Sequence, residues 1–109
     1  MIGLKSGFEV HQFSNLTSTG VSDSVETAGI NLLFQISTTN VAASVVIRLE
    51  GSLDNLSFFN LKEDEEDITI TTDSTFGYAL NGCPVKFARV RLVTINGGSP
   101  TVSSKVGAS

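Results

Sequence analysis

"ASVVIRLEGSLDNLSFFNL", residues 43–61, and "VKFARVRLVTI", residues 85–95, decide how this chain folds. In the first, Val45, Ile47 and Leu49 alternate with Val46, Arg48 and Glu50. In the second, Ala88, Val90 and Leu92 alternate with Phe87, Arg89, Arg91 and Val93. Neighbouring side chains of a strand point to opposite faces, so a period of two marks a strand with one face in a core and the other partly in water. If the two strands pair, Glu50 faces an arginine across the ladder, a cross-strand ion pair. The other reading of Arg89 and Arg91 is a subunit interface, where arginine is enriched. Between Glu50 and Phe58, residues 51–57 read as a turn with an unusually apolar tip, and the extended pattern resumes from Phe58 to Leu61. Alternation puts Phe58 and Phe59 on opposite faces, so only one can fill the core. The other is exposed or covered by a partner.

Outward from these stretches, residues 29–37, 67–72, 75–80 and 101–106 also read as strands. They are punctuated by Thr38-Thr39-Asn40, Asn81-Gly82 with Pro84, and Asn96-Gly97-Gly98-Ser99-Pro100. Residues 1–27 are rich in Ser, Thr and Gly and hold one short alternation, from Phe8 to Phe13. No window repeats apolar residues at helical spacing. The expected fold is all-β: a single β-sandwich or jelly roll of about seven or eight short antiparallel strands. Residues 1–27 form an N-terminal arm or edge strand, and residues 28–109 form the sandwich.

The 109 residues fit one domain able to bury a core without disulfides or metal. Ser and Thr supply 25 of the 109, and charged residues only 17%, a balance suited to half-exposed strands and turns. The single cysteine, Cys83, excludes an internal disulfide, and neither a secretory leader nor a membrane span is visible, so synthesis and folding in a cytoplasm are expected. Net charge is −4, and five of the eleven acidic residues lie together at Glu63, Asp64, Glu65, Glu66 and Asp67. The acidity is therefore local, and without a basic stripe interleaved with aromatics, nucleic acid is not the expected partner.

No catalytic constellation is visible, and the chain is not expected to be an enzyme. His11 is the only histidine, so any nucleophile–base pair would have to use it, and it lies in the N-terminal segment. Cys83, before Pro84, reads as a small buried hydrophobe. Residues 63–67 offer clustered carboxylates to a hard cation, but the spacing of a calcium loop and its central glycine are missing. A solvated loop is the expectation, with no metal, no cofactor and no small-molecule ligand. Phe8, Phe13 and Leu16 either cover one end of the sandwich or form an arm that docks on a neighbouring subunit.

The order IRLEGSLDNLSFFNL at 47–61, PVKFARVRL at 84–92 and NGGSPTV at 96–102 resembles small jelly-roll proteins of tailed bacteriophage particles. The hairpin and the following aromatic-x-Arg strand also look like the discoidin, or galactose-binding-like, sandwich. Two positions depart from that pattern: Asn55 stands for the turn glycine and a phenylalanine for the usual tryptophan. Asparagine tolerates the left-handed turn position, and phenylalanine keeps an apolar anchor. The phage resemblance implies a structural virion protein on the capsid exterior. In particular, it implies a decoration (cement) protein that contacts the major capsid protein and copies of itself, as a homotrimer. The candidate interface residues are Phe8, Phe13, Leu16, Phe58, Phe59, Arg89 and Arg91. A neck or tail component, or a carbohydrate-binding discoidin-like module, is the alternative.

Overall fold

The strands form where the alternation is, and their apolar faces meet. A computed structural model describes residues 9–12 by their backbone and residues 16–27 and 31–108 in full. Phe8 and Phe13 lie outside the described residues. The elements are β1 (Glu9–Gln12), β2 (Gly20–Val21), β3 (Val25–Glu26), β4 (Leu32–Thr39), β5 (Ser44–Ser52), β6 (Phe59–Asn60), β7 (Ile68–Ile70), β8 (Ser74–Leu80), β9 (Phe87–Asn96) and β10 (Thr101–Ala108). Among the described residues there is no helix.

Two antiparallel sheets result. Sheet A runs β1-β10-β4-β8; sheet B centres on the β5–β9 pair, with β2 and β3 sharing the outer edge of β9 and β6 and β7 sharing that of β5. The fold is an all-β sandwich. Its core takes Phe34 and Ile36 from β4 and Val102 and Val106 from β10. Sheet B answers with Val45, Ile47, Leu49, Ala88, Val90 and Leu92, and all ten are at most 1% exposed. Burying a side chain of this size contributes roughly 1.5–3 kcal/mol, so these alternating sets drive the two sheets together.

Three local features depart from simple alternation. Val46 pairs with Thr94 but Ile47 pairs with Leu92, which leaves Val93 as a bulge on β9. An extra residue reverses the phase of the strand beyond it, so Ile95 packs against the core instead of joining the face of Arg89 and Arg91. Gly51 belongs to β5 rather than to the turn; a Cβ there would lie 2.7 Å from Leu61 Cδ2 and 3.0 Å from Val85 Cγ1. At the edge of sheet B, Ser22 interrupts the strand between β2 and β3. Its N–H donates to Val90 O (2.9 Å) and its hydroxyl accepts the Val90 N–H (3.0 Å), so a side chain completes the ladder.

The phenylalanine pair is the clearest correction. Neither fills the core: Phe59 is 49% exposed, Phe58 is half-buried beneath Arg89, and the buried anchor is Leu61 at 7%. The Cβ-free space above Gly51 admits Leu61 and leaves both rings outside.

The described parts of the N-terminal segment lie along sheet edges. β1 pairs with β10, β2 and β3 pair with β9, and Leu16 exchanges backbone hydrogen bonds of 2.8 and 2.9 Å with Val102.

Candidate functional site

Two surfaces carry the polar and apolar groups singled out by the sequence. The first is the outer face of sheet B, where β5 and β9 set Glu50 opposite Arg89 and Arg48 opposite Arg91. Glu50 is only 3% exposed. Its two carboxylate oxygens accept hydrogen bonds from Arg89 Nε (2.7 Å) and Arg91 Nε (2.9 Å), and Arg48 Nη1 lies 3.8 Å away. Arg89 is also stacked on Phe58, with 3.6 Å from its guanidinium carbon to the ring centre. An arginine between an aromatic face and a carboxylate gains from both cation–π attraction and charge-assisted hydrogen bonding.

Arg48 completes the network through Asp67, donating from Nε to Oδ1 (2.8 Å) and from Nη2 to Oδ2 (3.1 Å). These bonds hold the Asp67 carboxyl below its usual range and push the Arg48 guanidinium up. Asn60 Nδ2 adds a third contact to Asp67 at 3.3 Å. Asp67 therefore does not share the solvated loop expected of residues 63–67. The rest of that run turns outward: Glu65 has φ 57°, Asp64 Oδ1 accepts the Glu66 N–H (3.0 Å), and Lys62 Nζ lies 3.4 Å from Asp64. Acceptance of that N–H, with Lys62 beside it, lowers the Asp64 carboxyl. Among the described residues, no group of three or more His, Cys, Asp or Glu could hold a metal ion.

The second surface is an apolar end. After Ser52, the chain makes a tight turn held by its own side chains. Ser52 Oγ donates to Asp54 Oδ1 (2.9 Å) and accepts the N–H groups of Asp54 (3.2 Å) and Asn55 (2.9 Å), while Asp54 Oδ1 accepts those of Leu56 and Ser57, both at 2.9 Å. The N–H groups of Ser57 and Leu56, followed by the Ser52 hydroxyl, lower the Asp54 carboxyl. Asn55 takes φ 62°, the left-handed position where asparagine replaces glycine at least cost. Ser24 Oγ ties its side chain down at 2.7 Å.

The turn displays Leu53 and Leu56 at 67% and 85% exposure. Beside it opens a cleft of about 630 Å³, lined by Leu53, Phe59, Leu61, Tyr78, Leu80 and Val85. Glu63 also lines it, and Lys62 Nζ lies 5.8 Å from the Tyr78 ring centre. Cys83 also lines the cleft, where burial pushes its thiol up and disfavours the thiolate.

Of the candidate interface residues, Phe59 is in the cleft, Phe58, Arg89 and Arg91 belong to the ion-pair face, and Leu16 packs partly against the core. Sequence reasoning named neither Leu53 nor Tyr78 as an interface residue, and it placed Asp67 in the acidic loop rather than against Arg48. For Leu53 the signal was present: an apolar residue in a turn has no strand to bury it.

No family model matches the sequence, and no curated protein matches it. Among solved structures, the SPBc2 prophage-derived protein YomS is similar, with a TM-score of 0.59 at 14% identity over 93% of this chain and 95% of that one. A chain from Bacillus endospore appendages, a family of disulfide-linked pili, is similar with a TM-score of 0.52 at 5% identity, over 94% and 88% of the two chains. At these identities the likeness is one of fold.

Proposed function

We propose that this chain is a structural component of a phage particle, and specifically a decoration protein that cements the outside of a tailed-phage head by bridging copies of the major capsid protein. The observation that carries the reading is the likeness to a prophage-derived protein along nearly the whole of both chains. The apolar turn supports it. Exposed leucines on a loop fixed by five internal hydrogen bonds offer a rigid contact patch and so lower the ordering cost of binding. The acidic loop would be repelled by packaged DNA, which favours the exterior. Binding only the assembled shell stabilises that shell by mass action, and many weak contacts multiply over the lattice.

The test is reconstitution. Purified chain is mixed with empty heads of the phage that encodes it, pelleted, and located by cryo-electron microscopy. Density on the outer shell is the expected result. Failure to bind heads, with density at the neck or tail of the virion instead, overturns the head assignment and keeps the virion class. The carbohydrate-binding alternative has one observation in its favour: Phe59 and Tyr78 both line the cleft. Glycan-array binding lost in Tyr78→Ala would establish it.

A further inference from the structure

Sheet edges expose unpaired N–H and C=O groups, and proteins blunt them with short strands, charges or breaks. Most edges here are blunted. β1 has four residues, β2 and β3 have two each and are split at Ser22, and β6 and β7 have two and three and flank the acidic loop. The exception is β8. Its seven residues, STFGYAL, carry no charge and no proline, and its register with β4 runs without a shift from Ser74 to Leu80. Among the described residues no strand pairs with its other side.

We propose that this edge pairs with β8 of a second copy of the chain, antiparallel about a two-fold axis at Gly77, so that the two A sheets become one continuous sheet. A two-fold contact needs a patch that matches itself, and β8 does. Centred on Gly77, all seven residues find a partner: Ser74 faces Leu80, Thr75 faces Ala79 and Phe76 faces Tyr78 of the other copy. Moving the axis by one residue brings Asp73 opposite Ala79, or the left-handed Gly82 opposite Ser74, and shortens the ladder.

The side chains on both faces fit this pairing. A strand that meets its own copy sets its charges near their equals, and β8 has none to repel. On the inner face, Phe76 and Tyr78 pack half-buried against the margin of the core. The register lays each across from the other, twice by symmetry, as aromatic cross-strand pairs. Tyr78 and Leu80 also line the cleft with Phe59 and Leu61, so Phe76 of the second copy covers that apolar wall. On the outer face, Thr75, Gly77 and Ala79 are small and exposed. Leu33 is 50% exposed and has its register partner in Ala79, yet its Cδ1 lies 3.3 Å from where a Cβ on Gly77 would stand. It thus leans over the residue at the axis, where the second copy covers it.

Size sets the strength of the contact. β8 with Leu33, Phe59 and the cleft wall falls short of the roughly 20–30 residues a side of a standard interface, and each copy carries a net charge of −4. The product is a weak, closed dimer. It does not rest on the capsid reading, since it needs only two copies of the chain.

Sedimentation equilibrium of the full-length chain, up to about 1 mM to reach a weak complex, tests it with two double variants. Thr75→Glu with Ala79→Glu sets like charges opposite each other at two places in the dimer, and Thr75→Lys with Ala79→Lys does so with the other sign. Both positions are exposed, so the fold should hold. The wild type should dimerise, and each double variant alone should do so at least tenfold more weakly. An equimolar mixture of the two should give a heterodimer at least as tight as the wild-type dimer, because every like-charge pair becomes an opposite one. Amide hydrogen exchange of the wild type supplies a readout without substitution: β8 should be protected more as concentration rises, and β6 and β7 should not. The proposal is overturned by a wild type that is monomeric throughout, by double variants that dimerise like the wild type, or by β8 exchange that is the same at all concentrations. It is also overturned by a mixture that gives no heterodimer while both variants keep the wild-type far-ultraviolet dichroism.

Discussion

The outer faces of the two sheets are built from the same alternating pattern and end in opposite states. On sheet B, Arg48, Glu50, Arg89 and Arg91 bind one another and Asp67, and Phe58 lies over the cluster. On sheet A, the outward residues of β4, β8 and β10 include Leu33, Gln35, Ser37, Thr75, Gly77, Ala79 and Ser103, with Lys105 as the one charged residue in those three strands. Sheet B covers itself with its own side chains. The outer face of β4, β8 and β10 carries mostly small or uncharged residues, and Leu33 is left 50% exposed. Charge at a strand surface thus serves stability where it is paired internally, while its absence keeps a face open to contact.

Breaking the ion-pair face should have the largest effect. Glu50→Gln leaves Arg89 and Arg91 without their carboxylate at a site that is nearly dry, and the cost should be on the order of 3 kcal/mol. Urea unfolding of the variant against wild type measures it.

Asp67→Asn should cost less, about 1 kcal/mol, since Arg48 keeps access to water and to Glu50. Glu63→Gln, in the same acidic run, should stay within about 0.5 kcal/mol. The Asp67 carboxyl is lowered in the folded state by the Arg48 hydrogen bonds. Its contribution is therefore full above the unfolded value, about 3.9, and is lost as pH falls through the folded value. Melting followed from pH 6 down to pH 2 should show Asp67→Asn losing less stability than wild type across that acid range.

The smallest effect sharpens the contrast from the other side. Ser103→Lys adds charge to a face with no ion-pair network to disturb, and thermal stability should change by no more than about 0.5 kcal/mol. A loss as large as that of Glu50→Gln would show that the outer face of sheet A holds the fold together to the same degree as that of sheet B.

The sandwich was legible because its main strands bury one face each: β5 and β9 announce their core residues by alternation, and Glu50 could be placed opposite arginine by the same count. What alternation cannot register is a change of phase, so the bulge at Val93 and the inward turn of Ile95 were hidden. β2 and β3 were hidden for a different reason. Their ladder is completed by the Ser22 hydroxyl, in sequence whose Ser, Thr and Gly content looks like loop. Leu61 displaced both phenylalanines because Gly51, still inside β5, vacates the space above it. Asp67 left its acidic neighbours because β7 begins at the next residue and carries it under Arg48. At the candidate site, the turn at Ser52–Asn55 was readable in outline, whereas the cleft depends on how far apart two sheet edges stand, which no local pattern encodes.

The order of strands in sheet A sets the order in which the molecule can be completed. β10 follows every other strand in the chain, yet it lies between β1 and β4 and pairs with both. While the chain emerges from the ribosome, β1 has no strand to join and β4 is bare along one side until β10 has been made. The sandwich consequently closes late, after pairing across long sequence separations, and folding should be slow for its size.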